Sequence, residues 1–427
     1  MFQDLDRRRF MRRTAAATGL VAFPRRAPAD DDTQKRVVVG VMGLRRGRSL
    51  ASTFAAQSNV VVKYLCDVDA ETAQQCARLM SRSFEVEPQV VVDFRRILDD
   101  HEVDALVCAA PNHWHAPSTI MACIAGKHVY VEKPCSHNPR EGQWMIDAAR
   151  KHGRVVQVGT QRRSATGTMR AIQQVHAGAI GRVYVARCWY HSARRTIGQG
   201  KPAPVPPQLD YALWQGPAPR RPYLDNRIPY NWHWFWHWGN GELGNNGVHT
   251  IDLCRWGVGV DYPVQVTSSG GRYAFDDDQE TPDTHMVAFK FDGGRQITWQ
   301  GLSCNPHGGG FVTFYGEDGA LDLESNGTYT VYDRQGKKVR TEPGQGNGQN
   351  EHVVNFLTAV RHGRPDELNT EIAEGHKSTL LCHLGNMAHR VQRTLRCNPQ
   401  DGQVLDDAQA MRFWSREYEP GWEPSLA

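Results

Sequence analysis

RVVVGVMGLRRG, residues 36–47, is the stretch that decides the fold. The β-branched run 36–42 reads as a short buried strand. Gly40, Gly43 and Gly47 lie where that strand ends and a helix, expected through 50–57, begins. Outward from there, strands are expected at 60–66, 105–109, 128–131 and 154–158. Helices are expected between them at 70–80, 117–125 and 139–151. Strands alternating with helices imply an α/β fold, a parallel sheet covered on both faces. Ligands on such sheets bind at the carboxyl ends of the strands.

Two features place a dinucleotide there. Glycines let the backbone approach a pyrophosphate, and the helix N-terminus stabilises its charge. Asp67 ends the second strand. A carboxylate at that point accepts hydrogen bonds from the adenosine ribose hydroxyls and repels a 2′-phosphate, which favours NAD over NADP. The glycine pattern is imperfect, because Arg45 stands where the middle glycine of G-x-G-x-x-G belongs. Arg45, Arg46 and Arg48 offer charge to phosphates, but a cation does not replace close backbone approach.

The chain has 427 residues, 40% of them hydrophobic, which suits two domains. Its net charge is +4 and the basic excess gathers at the N-terminus, so no basic stripe marks a nucleic-acid partner. Ten cysteines occur without a CxxC pair and read as buried thiols. Arg7-Arg8-Arg9-Phe10-Met11-Arg12, the apolar stretch 14–23 and Ala27-Pro28-Ala29 resemble a twin-arginine export signal over residues 1–29. That implies handling by the twin-arginine machinery and a periplasmic location; an unused signal would leave the chain cytoplasmic. The apolar stretch is too short for a stable membrane span, and no other run is long enough.

Ala110-Pro111-Asn112-His113-Trp114-His115 follows one strand and Glu132-Lys133-Pro134 another. With the glycine turn and Asp67, these resemble the glucose–fructose oxidoreductase/inositol dehydrogenase (Gfo/Idh/MocA) family. The stretches at 157–163, 181–183, 214–217, 232–249 and 376–386 extend the resemblance over roughly 36–415. It implies a Rossmann domain at 36–160 that binds NAD and a substrate and oligomerisation domain at 161–415. The second domain is an open, largely antiparallel sheet. Segments 264–269, 284–291, 296–300 and 311–315 read as its strands, and 351–362 and 376–393 as helices packing back toward the first domain.

The resemblance also assigns residues. Lys133 lies beside the nicotinamide and substrate, aimed by a cis Pro134. Gly43, Arg45, Arg46, Gly47 and Asp67 contact the cofactor, with Pro111, Asn112, His115 and Glu132 lining its cleft. His249 is the second catalytic residue, a general acid/base whose free pKa is near 6.5. The family commonly has Asp four residues before this histidine, and here Asn245 stands there. An amide binds a hydroxyl but cannot pull its proton. Asn245, Asp252, Trp236, Gln161 and Arg163 are the expected substrate contacts, with Asp252 orienting His249.

Trp232, Trp234, Trp236 and Trp238 alternate with His233 and His237 between them. Period two reads as a strand, with one face packed and the other turned to a sugar. His233 and His237 have a spacing that suits metal ligands on a helix, but the alternation argues against a helix and no metal is expected. The expectation is thus an exported, NAD-dependent oxidoreductase acting on a sugar, polyol or glycoside. A tightly held cofactor and a homo-oligomer, dimer or tetramer, go with it. An NAD-dependent glycoside hydrolase working by oxidation, elimination and addition is one alternative, and a non-catalytic carbohydrate-binding protein is another.

Overall fold

The computed structural model describes residues 35–84 and 86–425. The twin-arginine reading of residues 1–29 lies outside them. The first sheet contains β1 (Val37–Met42), β2 (Val60–Cys66), β3 (Gln89–Val91), β4 (Ala105–Cys108), β5 (His128–Val131) and β6 (Val156–Val158). All pairings in it are parallel, in the order β3-β2-β1-β4-β5-β6. Helices α1 (Leu44–Ala55), α2 (Ala70–Met80), α3 (Arg95–Asp99), α4 (Asn112–Ile124) and α5 (Pro139–His152) connect the strands.

Two helices start earlier than the sequence suggests. Helix α1 begins at Leu44, so Arg45, Arg46 and Gly47 are already helical. Gly43 alone makes the turn, at φ 85. A Cβ there would lie 2.6 Å from the Ala109 carbonyl carbon and oxygen, so only glycine lets β1 hand over to the helix beside β4. Helix α4 begins at Asn112 after Pro111, and Pro117 falls inside it. Leu44, Leu50, Ala51 and Phe54 form the buried stripe of α1.

The second sheet has β7 (Val183–Ala193), β8 (Gln265–Gly271), β9 (Thr284–Phe291), β10 (Arg295–Leu302), β11 (Cys304–Asn305), β12 (Val312–Gly316), β13 (Gly319–Leu323), β14 (Tyr329–Asp333), β15 (Lys338–Glu342) and β16 (Leu395–Arg396). The order is β15-β14-β13-β12-β7-β10-β9-β8-β16, with β11 on β7. It is antiparallel except between β7 and β10. Along β9, His285, Val287, Phe289 and Phe291 are buried, whereas Met286 is 51% exposed. One face therefore carries the core and the other lies open.

Helices α6 (Thr166–His176), α7 (Tyr211–Gln215), α8 (Val248–Val258), α9 (Gln349–His362) and α10 (Ile372–Val391) complete the principal elements. The chain returns through α9 to cover the first sheet. Phe356 meets Phe54 and Tyr130 edge-on, with ring centroids 6.0 and 5.9 Å apart. Helix α10 packs against α5 of the first domain and α8 of the second, so the two sheets share it as a common strut.

All ten cysteines are free; Cys304 is partly exposed and the others are buried. Among the described residues no helix is long and apolar enough to cross a membrane. Gly43→Ala is expected to lower stability by about 1–3 kcal/mol through backbone strain and the Ala109 clash, read as a shift in the urea midpoint without a change in slope.

Candidate active site

A cleft of about 570 Å³ opens where β1, β2, β4 and β5 end, between the two domains. Gly43, Arg45 and Arg46 form its helix-N-terminal side. Asp67 lies beside them. Its carboxylate accepts the Leu44 N–H at 2.7 Å and the Asp69 N–H at 3.0 Å. Burial raises the Asp67 pKa, and those two backbone donors oppose the rise. The set suits a dinucleotide. The glycine leaves no Cβ at the turn, a helix begins there, and a carboxylate ends the next strand.

The arginines behave differently from each other. Arg46 Nε donates to Glu132 Oε1 at 2.8 Å, tying the first turn of α1 to the end of β5. Arg45 is exposed at the cleft and forms no ion pair among the described residues, so it is the cation available to a phosphate. His115 has both ring nitrogens committed, to the Pro134 carbonyl at 2.6 Å and the Ala110 carbonyl at 2.7 Å. It lines the cleft as a pin between two loops. Asn112 Nδ2 donates to Asn240 Oδ1 at 3.0 Å, across the domain boundary.

Lys133 precedes Pro134 through a cis peptide bond. Its ammonium donates to the Asn245 backbone carbonyl at 2.9 Å and meets Asn245 Oδ1 at 3.4 Å. Burial lowers its pKa, and the Glu132 carboxylate partly restores it. Asn245 lies in a π turn, Leu243–Gly247, that runs directly into α8. Such turns alter which side chains share a face. Behind it, Glu242 accepts from Asn245 Nδ2 at 3.4 Å and pairs with Arg194 at 2.6 Å.

His249 stands on α8, lines the same cleft and has its Nδ1 without a partner. Burial pulls its pKa well below 6.5, and the charges of Lys133, Arg162 and Arg46 push the same way. The imidazole is therefore neutral at pH 7, with Nδ1 open to a hydroxyl, although burial and the neighbouring cations make it a weaker base than free imidazole. Gln161 also lines the cleft, and its Oε1 has no partner.

Three expected substrate contacts are corrected. Trp236 does not line this cleft; it lies over the Arg390 guanidinium at 5.1 Å, in a separate cavity. The tryptophan run is not a strand. Asn231–Trp234 is a 3₁₀ turn followed by further turns, so alternate side chains do not share a face. Arg163 and Asp252 are also outside the cleft. They form a buried bidentate pair, with N–O distances of 3.0, 2.8 and 2.9 Å, and Ser378 Oγ donates to the same carboxylate at 2.6 Å. Asp252 is fully engaged there and does not hold His249.

The aromatic wall of the cleft is Tyr230, Trp232, His233 and Trp214, of which Tyr230 and Trp214 were not among the expected site residues. His233 stacks on Trp232 with centroids 3.6 Å apart and contacts the Tyr230 carbonyl through Nδ1 at 2.7 Å. The aromatic run was the signal, but Trp232 faces the cleft rather than Trp236. Among the described residues no group of three His, Cys, Asp or Glu is placed to hold a metal ion.

Residues 35–160 match the Gfo/Idh/MocA model described as an oxidoreductase-family NAD-binding Rossmann fold, and residues 189–423 match that family's C-terminal alpha/beta domain. Levoglucosan dehydrogenase of Pseudarthrobacter phenanthrenivorans is 30% identical over 200 residues, 47% of this chain and 43% of the relative. A glycosyl hydrolase family 109 protein of Saccharopolyspora erythraea is 29% identical over 172 residues, 39% of this chain and 38% of the relative. The chain thus spans less than half the length of these curated relatives. A solved levoglucosan dehydrogenase, complexed with NADH and levoglucosan, superposes with a TM-score of 0.66 at 21% identity, covering 85% of this chain and 99% of that one.

Asp252→Asn is expected to destabilise the fold by about 3–5 kcal/mol, because it removes the carboxylate that neutralises the buried Arg163 guanidinium. Urea unfolding measures it. Under the same change, the NMR titration of the His249 ring is expected to stay in place.

Proposed function

The chain belongs to the Gfo/Idh/MocA oxidoreductase family, and from that premise we propose an NAD-dependent oxidoreductase acting on a hydroxyl carbon of a sugar, polyol or glycoside. The observation that carries the reading is the pairing of Lys133 and a neutral His249 in one cleft with Asp67 and the Gly43 turn. When bound, NAD supplies or accepts the hydride. The chain's own residues manage the rest. Gly43, Arg45 and Asp67 would hold the dinucleotide. Lys133, fixed by Asn245, presents an ammonium to the reacting oxygen and stabilises alkoxide charge. Neutral His249 accepts the hydroxyl proton and returns it in the reverse direction. Tyr230 and Trp232 offer aromatic surface to the apolar face of a ring.

Export through a twin-arginine signal would separate the protein from the cytoplasmic NAD pool. The reading therefore includes a cofactor held through turnover, loaded before export. Protein purified without added cofactor and then denatured is expected to release near one NAD per chain, measured by absorbance and mass. Absence of dinucleotide, with no binding of NAD or NADP at millimolar levels, would favour a carbohydrate-binding protein.

The likeness to the glycosyl hydrolase family 109 protein favours a second reading. There, oxidation at one ring carbon acidifies its neighbour, the aglycone leaves, water adds and the ketone is reduced again. Free sugar formed from a glycoside without net NADH assigns the hydrolase; stoichiometric NADH assigns the dehydrogenase. In either case Lys133→Met is expected to cut kcat/KM by 100-fold or more with unfolding behaviour unchanged, from the loss of alkoxide stabilisation. Loss of activity without loss of fold would exclude the binding-protein reading.

The pH profile is a separate check. The His249 pKa is depressed, so its basic form persists below 6.5. For the direction that abstracts a proton, kcat/KM is expected to stay level through pH 6.5 and to fall only at lower pH. A limb centred at 6.5 would assign the base to another group.

A further inference from the structure

Residues 231–240 form a partition. On one side is the cleft; on the other is a second cavity of about 610 Å³. Asn240 belongs to both sides. Its Oδ1 accepts from Asn112, while its Nδ2 donates to the His137 carbonyl at 2.9 Å and its own carbonyl accepts from Asn386 at 2.9 Å. The second cavity is lined by Arg220, Arg221, Arg390 and Arg416, against the single carboxylate of Glu417.

These cations are poorly matched by the protein. Arg220 pairs loosely with Glu419 at 3.5 Å. Arg390, open to solvent at the cavity mouth, lies over Phe413 at 3.6 Å and Trp236 at 5.1 Å. Among the described residues it forms no ion pair and no hydrogen bond, so its in-plane N–H groups are open to an outside acceptor. Arg416 makes three long contacts, to the Glu417 carbonyl at 3.3 Å, His137 Nδ1 at 3.3 Å and the Pro217 carbonyl at 3.4 Å.

Glu141 acts on Arg416 across space, but its oxygens are taken by the Tyr418 hydroxyl and the His137 N–H. Desolvation lowers both guanidinium pKa values, that of Arg390 to about 10, against the opposing fields of Glu280 on Arg390 and Glu141 on Arg416, neither of which forms an ion pair with its arginine among the described residues. Asn138, only 4% exposed, lines the same cavity with Nδ2 unpartnered. His137 and His237 are held neutral by burial and supply no negative charge.

We propose that this second cavity binds a sugar-sized molecule bearing an oxyanion, carboxylate or phosphate, held by Arg390 and Arg416. The ligand supplies the direct in-plane partner that no carboxylate of the fold gives these two arginines, and Trp236 and Phe413 border it with aromatic surface. This site is distinct from the redox cleft, and its assignment does not rest on the reaction proposed there.

Isothermal titration of the full chain tests it, with glucuronate, glucose 6-phosphate and inorganic phosphate as probes and glucose as the neutral control. Saturable binding that weakens as salt rises is expected for at least one anionic probe, whereas any binding of glucose is expected to be indifferent to salt and to the loss of Arg390. Binding of glucuronate alone assigns a carboxylate ligand; binding of both phosphate probes assigns a phosphate. Arg390→Gln is expected to weaken that binding at least tenfold while the dinucleotide content stays unchanged. Arg416→Gln is the second variant. Because Arg390 lies at the open mouth, its substitution carries the test even where Arg416→Gln fails to fold. The proposal is overturned if no anionic probe binds, if glucose binding weakens equally in Arg390→Gln, or if Arg390→Gln leaves the anion affinity intact.

Discussion

A desolvated ammonium must find acceptors, and Lys133 finds them in the other domain. Its bond to the Asn245 carbonyl joins the end of β5 to the π turn that launches α8. The cleft exists in its present form because of that constraint. Lys133 arrives through the Pro134 turn, which His115 fastens to the loop after β4. Asn245 is held in turn by Glu242, and Glu242 by Arg194. His249 follows on the same helical segment, close enough for the Lys133 charge to depress its pKa. The Asn245 amide thus has a task that a carboxylate would perform differently. It accepts from Lys133 without neutralising it, and leaves the negative charge one step back on Glu242.

Most of the fold was legible because local signals agreed with one another. The valine run, Gly43 and Asp67 each have one structural use in a parallel sheet, and all three occupy it. Lys133, His249, Gln161 and Pro111 were likewise reached through motifs, and the cleft contains all four. Strand β3 is harder to read because it is only three residues long at the sheet edge, with Gln89 and Val90 exposed, so the run Val90-Val91-Val92 is too short to show a period. The starts of α1 and α4 were misplaced because neither helix has a side-chain cap at its N-terminus. A capping residue is the sequence signal for a helix start, and glycine and proline took its place.

The errors at the site have a common cause: side-chain direction. Helix α8 is buried almost all round, as Val248, Ile251, Leu253 and Cys254 show. A charge on such a helix has no solvated face to occupy. Asp252 must be paired inside, and Arg163 and Ser378 provide the partners. Spacing from His249 could not reveal this, because it says which residues are neighbours on the helix and not what packs against them. The tryptophan run failed for the complementary reason. A 3₁₀ turn has about three residues per turn, so a strict alternation spreads its members around the axis.

That spread explains why one aromatic segment can serve two compartments. Trp232 turns to the cleft, Trp238 is buried against Trp214 and Phe235, and Trp236 faces Arg390 on the far side. A strand would have put Trp232 and Trp236 on one face and left the opposite cavity with His233 and His237. The turn instead gives each compartment an aromatic surface, and places between them Asn240, whose amide and carbonyl bond Asn112, the His137 carbonyl and Asn386. At Asn240 a neutral amide separates a basic cavity from a cleft that depends on the positive charge of Lys133. A carboxylate at Asn240 would neutralise one compartment at the expense of the other.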